Sequence, residues 1–158
     1  MNEKQASRLL TLAYFLKTEV SKDHYDQNDA LSVDLNDFDP EIALFSQEEE
    51  HCGSVACSIG YLPIVFPGHF EYRNLPYDGL QVVQSAKKIV VTHAWDPRLH
   101  PKETQILGDF FGLSASEIGR LFGPGAICSN DFRCDRTPKQ QAKRIENTVI
   151  KNGYDYVS

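Results

Sequence analysis

Four cysteines, a few histidines and a run of carboxylates are the side chains in this sequence able to do chemistry, and their spacing decides which chemistry each could support. Cys52 lies in His51-Cys52-Gly53-Ser54, just ahead of an apolar pattern that reads as a helix. A thiol there gains thiolate character from unpaired N–H groups and the positive end of the helix dipole, which makes Cys52 the candidate nucleophile. His51, His69, His93 or His100 could serve as its base, although none stands in a recognisable nucleophile pattern, since such groups meet in space rather than in sequence. The competing reading is structural: free cysteine is among the most buried residue types, and Cys52 then fills a tight helix contact. Cys52, Cys57, Cys128 and Cys134 could converge as four thiolates on zinc, but neither pair has the short spacing of zinc knuckles. A bond between Cys52 and Cys57 is not expected if both belong to one helix, because residues five apart point to different sides. The expectation is therefore no metal and no cofactor.

Asp23, Asp26, Asp29, Asp34, Asp37 and Asp39, together with Glu48, Glu49 and Glu50, form the second constellation. The trio Asp34, Asp37 and Asp39 lacks the alternation, the glycine and the closing glutamate of a calcium loop. The net charge of −6 is unevenly spread over the 158 residues. Up to Glu50 there are twelve acidic and four basic residues, a balance of −8, whereas the remainder carries +2. That asymmetry argues against a nonspecific nucleic-acid binder and suits a basic surface on a protein partner. Its bland counterpart is a solubilising face that pairs with Arg133, Arg136, Lys139, Lys143 and Arg144 of the same chain.

The third constellation is a helix-turn-helix pattern over residues 105–121. Gly108 sits where a small residue is wanted, Gly112 falls in the turn, and Ile118 and Leu121 point inward. The second helix would present Ser114, Ala115, Ser116, Glu117 and Arg120 to a DNA groove. Only Arg120 among them is basic, and Glu117 opposes the phosphates, so a plain helical hairpin accounts for the same spacing.

The elements that must position these groups follow from periodicity. Ala6, Leu9, Leu10, Ala13, Leu16 and Val20 keep a helical stripe over residues 3–20, with Asn2 as its cap. Residues 21–39 are rich in Asp, Asn and Ser and read as an acidic surface loop. Asp39-Pro40 starts a short helix carrying Ile42, Leu44 and Phe45. Val55, Ile59 and Leu62 predict a buried central helix over residues 52–62, with Ala56 and Gly60 as a side-chain-poor stripe and Pro63 as its stop. Residues 63–79, punctuated by Pro and Gly, read as mostly irregular. Valine and isoleucine in residues 80–84 and 88–93 predict a small β-hairpin.

Ile106, Leu107, Phe110 and Phe111 form an apolar helix face that ends at Gly112, and Ser114-x-x-Glu117 is a capping box, with Leu113 and Ile118 as its hydrophobic staple. Gly123-Pro124 closes that helix. Thr137-Pro138 starts the last one, with Ala142, Ile145 and Val149 inward and Lys139, Lys143 and Arg144 outward, ending before Gly153. No apolar run approaches the ~20 residues needed to span a bilayer, and the N-terminus lacks a secretion signal, so the expected location is the cytoplasm, with the cysteines reduced.

Taken together, Cys52-Gly53-Ser54-x-x-Cys57-x-x-Gly60, then Phe111-Gly112-Leu113-Ser114 with Glu117 and Leu121-Phe122, then Ala142-x-Arg144-Ile145, resemble a family of small uncharacterised proteins from bacteria and their phages. The likeness runs from about residue 46 to the C-terminus and implies no activity. The fold expected is a mainly α, α+β single domain with the short helix at its centre, about five helices and a small hairpin. The expected function is that of a non-enzymatic accessory or regulatory protein that binds a macromolecular partner, in phage–host interplay, through its acidic N-terminal surface. A thiol-dependent enzyme using Cys52 is the alternative, and a DNA-binding regulator the third reading.

Overall fold

Asn2 opens the first helix as the spacing requires: its side chain accepts the Gln5 N–H at 2.9 Å while the Gln5 side chain accepts the Asn2 N–H at 2.8 Å. Two N–H groups that the helix cannot satisfy internally are thereby paired. Helix α1 runs Glu3–Glu19. The computed structural model describes residues 1–20, 25, 58–74, 80–84, 89–90, 101–122 and 137–154. Its architecture is mainly α, with five helices and a small antiparallel sheet among those residues. Ala6, Leu9, Ala13 and Leu16 are buried as predicted; Leu12 joins them, Leu10 is half-buried, and Val20 ends the helix as its C-terminal cap.

The region after Tyr61 corrects the sequence reading twice. Pro63 does not stop a helix: it sits in the first turn of a short one, α2, Leu62–Val65, preceded by a turn over residues 58–61. A proline lacks only the N–H that a first turn leaves unpaired anyway, so it starts a helix as readily as it follows one. Residues 52–57 lie outside the described residues. Ile59 and Leu62 are nevertheless fully buried, as the stripe requires, and Tyr61 is buried beside them. The segment read as irregular also holds a strand, β1, Phe70–Asn74, in which Phe70 is buried and Glu71 exposed.

Strand β1 pairs antiparallel with β2, Leu80–Gln84, which pairs in turn with β3, Ile89–Val90. The register sets Phe70 opposite Gln84 and Val83 opposite Val90. The predicted hairpin is therefore the outer part of a three-stranded sheet with the order β1-β2-β3.

Helices α3, Pro101–Phe111, and α4, Ala115–Phe122, flank a three-residue turn, and α5 runs Pro138–Lys151. Thr137 and Gln140 repeat the reciprocal cap of α1, at 3.0 and 3.1 Å. The last helix ends with Gly153 N–H bonded to Ile150 and Tyr154 N–H bonded to Val149, the paired reverse contacts of a glycine-terminated helix. Helix α1 packs against α2, α3 and α5. Its apolar stripe meets Ala142, Ile145 and Val149, all completely buried. No helix among the described residues is long and apolar enough to cross a membrane.

Candidate functional site

The turn between α3 and α4 is built from two glycines with different duties. Gly112 adopts φ +69°, the left-handed region that costs other residues about 1–2 kcal/mol. Its N–H and that of Leu113 both reach back to the Gly108 carbonyl, at 2.8 and 3.1 Å. Gly108 itself has ordinary helical backbone, but a Cβ there would stand 2.9 Å from the Leu113 carbonyl oxygen, closer than side chains tolerate. Only glycine lets the chain fold back this tightly.

Two further carbonyls at the end of α3 are taken up by α1. Gln5 Nε2 donates to the Asp109 carbonyl at 3.0 Å, and Arg8 Nη1 donates to the Phe110 carbonyl at 2.9 Å. The Arg8 guanidinium also lies over the Phe110 ring, 4.1 Å from its centroid. Phe110 is a hub for further rings: Phe66, Phe70, Phe111 and His69 meet it edge-on at 4.9–5.1 Å. Such contacts favour one ring arrangement beyond their buried area. His69 is the only candidate base among the described residues, and it is exposed. Its pKa is lowered from the ordinary value by partial desolvation first, then by the positive charges of Arg8 and Lys4. The neutral imidazole is favoured there.

Helix α4 starts on Ser114. Its hydroxyl accepts the Glu117 N–H at 3.2 Å and Glu117 Oε1 accepts the Ser114 N–H at 3.1 Å. The second carboxylate oxygen of Glu117 accepts from Asn152 Nδ2 of α5 at 2.9 Å. The Asn152 amide first, then Ser114 and the charge of Lys151, hold this carboxyl below its usual range against an opposing desolvation. Glu117 is therefore directed onto Ser114 and Asn152 and stays ionised there. Ile118, Leu121 and Phe122 are buried, and the buried Gln141 donates to the Leu121 carbonyl at 2.7 Å, satisfying the end of α4.

What remains outward on α4 is Ser114, Ala115, Ser116 and Arg120, all exposed, with half-buried Gly119, beside which a Cβ would meet nothing within 4 Å. Of the residues predicted to carry function, Ser114, Ser116 and Arg120 are thus brought together on one open surface. His51, Cys52, Cys57, Cys128 and Cys134 lie outside the described residues, as do Asp23, Asp26, Asp29, Asp34, Asp37, Asp39, Glu48, Glu49 and Glu50, together with His93 and His100. No group of three His, Cys, Asp or Glu suited to a metal ion occurs among the described residues.

Sequence reasoning missed Gln5, Arg8 and Gln141 as the residues that close helix ends. Gln5 was legible as an N3 partner of Asn2, but its second contact spans more than a hundred positions and leaves no local signal. No family model, curated protein or solved structure matches the chain.

Proposed function

We propose that this chain is a non-enzymatic accessory or regulatory protein that works by binding a macromolecular partner, with the acidic stretch up to Glu50 engaging a basic surface on a protein. The observation that carries this reading is charge segregation, −8 over the first fifty residues against +2 over the rest. Opposite charge across an interface speeds encounter and selects partners more than it adds affinity, which suits a regulator that must find one target. In the described scaffold, ionic side chains are used to tie elements together: Lys17 to Glu146 at 3.0 Å, Arg8 to the end of α3, and Glu117 to Ser114 and Asn152. Placement in phage–host interplay rests on the resemblance of the cysteine and Phe111-Gly112-Leu113-Ser114 motifs.

The test is capture from a host lysate with the wild-type chain and with a variant in which Asp23, Asp26, Asp29, Asp34, Asp37, Asp39, Glu48, Glu49 and Glu50 become Asn or Gln. A partner retained by the wild type and released both by the variant and by added salt is the expected result. Equal capture by the two chains sinks the reading. Rapid iodoacetamide labelling of Cys52 in the native protein near neutral pH would move the conclusion to the thiol enzyme.

A further inference from the structure

We infer that the α3–α4 unit is a duplex-DNA contact, with α4 entering the major groove and Arg120 as its base-reading or phosphate-binding side chain. The inference goes beyond the partner-binding reading and stands on different residues. Its first ground is the shape of the unit. Two helices joined by residues 112–114, with a small residue pressed against the turn at Gly108, a left-handed Gly112, and Leu107, Phe111, Leu113, Ile118 and Leu121 all buried, make the packing of a helix-turn-helix.

The second ground is the exposed face of α4. Ser114, Ala115, Ser116 and Gly119 carry almost no side-chain bulk, so the helix backbone can approach a groove about 12 Å wide without obstruction.

The third ground is charge. Glu117, the one acid of α4, is folded back onto Ser114 and Asn152, which hold its carboxylate ionised against the scaffold. On α5, the Thr148 hydroxyl bonds to the Arg144 carbonyl and Asn152 Nδ2 to the Thr148 carbonyl, marking residues 144, 148 and 152 as one row along the helix. Asn152 of that row touches α4, which places Arg144 on the same flank, and Lys151 acts electrostatically on Glu117. Arg120 is exposed on α4 and Lys151 acts on Glu117 from the end of α5, with Arg144 two turns back along α5, while Glu146 is paired with Lys17. A small-faced second helix carrying one exposed arginine is what a helix-sized major groove accommodates, so duplex DNA is the occupant that fits this surface.

The test uses the full chain and a pool of random duplex DNA, at about 50 mM salt and again at about 200 mM. Retained duplexes are sequenced and affinity is followed by fluorescence anisotropy. Enrichment of a short motif, with binding that weakens as salt rises, is the result expected. Arg120→Glu should lower affinity about tenfold or more. Ser116→Glu is the companion variant: an acid in the first turn favours helix α4 through the dipole yet repels phosphate, so its loss of binding is not loss of fold. An unenriched pool with no binding at low salt overturns the inference, as does binding that both variants leave intact. A protein partner whose capture depends on Arg120 while DNA does not bind also overturns it. Neutralising the acids between Asp23 and Glu50 should abolish protein capture without weakening DNA binding, so failure of one reading is distinguishable from failure of the other.

Discussion

The seam between α1 and α5 and the turn between α3 and α4 are held by different physics. At the seam, two long helices bury Leu9, Ala13, Leu16, Ala142, Ile145 and Val149 against a common core, and a single exposed ion pair, Lys17 to Glu146, crosses it. At the turn, the structure is specified by backbone chemistry: two glycines, a capping box and carbonyls closed by Gln5 and Arg8. The seam uses its side chains to hold the fold. The turn achieves its shape with few side chains and leaves the outer face of α4 open to a partner.

Substitutions can break that contrast in order of size. Ile145→Ala, at a site with no exposure, should cost about 2–5 kcal/mol in urea unfolding, because the apolar seam cannot collapse onto the missing atoms. Gly112→Ala should cost at least about 1–2 kcal/mol, because φ is +69° and the new methyl would overlap Gln5 and the Met1 backbone. A neutral Gly112→Ala would show that backbone conformation does not control the turn.

Removing caps sharpens the comparison further. Ser114→Ala and Thr137→Ala should each cost about 1 kcal/mol, but they should differ in pH dependence. The α5 cap uses neutral Gln140, whereas the α4 cap uses Glu117, whose carboxyl is held below the usual carboxylate range. A carboxyl that is more acidic in the folded chain stabilises above pH 4.5, and that contribution is lost as pH falls through its depressed value. Wild-type stability should therefore fall more steeply with acid than that of Glu117→Gln, measured by denaturant midpoint at each pH.

The smallest effects belong to exposed groups. Lys17→Met should change stability by less than about 1 kcal/mol, since the ion pair is solvent-screened. His69 acts with the same sign as Glu117, but at higher pH. Its lowered pKa means that the unfolded chain takes up the proton first, so a slight loss of stability should begin as pH drops below 6.5 and be absent in His69→Gln.

Legibility in the sequence follows the same division. The caps Asn2, Ser114 and Thr137 and the turn at Gly112 were readable because each signal lies within a few residues of what it fixes. The stripes of α1 and α5 were readable for the same reason, with Leu12 missed because it falls at the margin of the α1 stripe. Pro63 was misread because proline marks both the start and the aftermath of a helix, and only the surrounding fold chooses. Strand β1 was hidden by its flanking prolines and glycines, although Phe70 and Glu71 begin a two-residue alternation. At the candidate site, Ser114, Ser116 and Arg120 were named from spacing, but the retreat of Glu117 onto Asn152 joins residues thirty-five apart and has no local signature.

The Gln5 side chain makes two bonds whose demands meet on one amide group. Its oxygen holds the opening of the first helix and its nitrogen holds the close of the third, so the amide plane cannot turn to favour one without releasing the other. Fraying at the start of the chain is thereby transmitted, through a single rotatable group, to the pivot that aims Arg120.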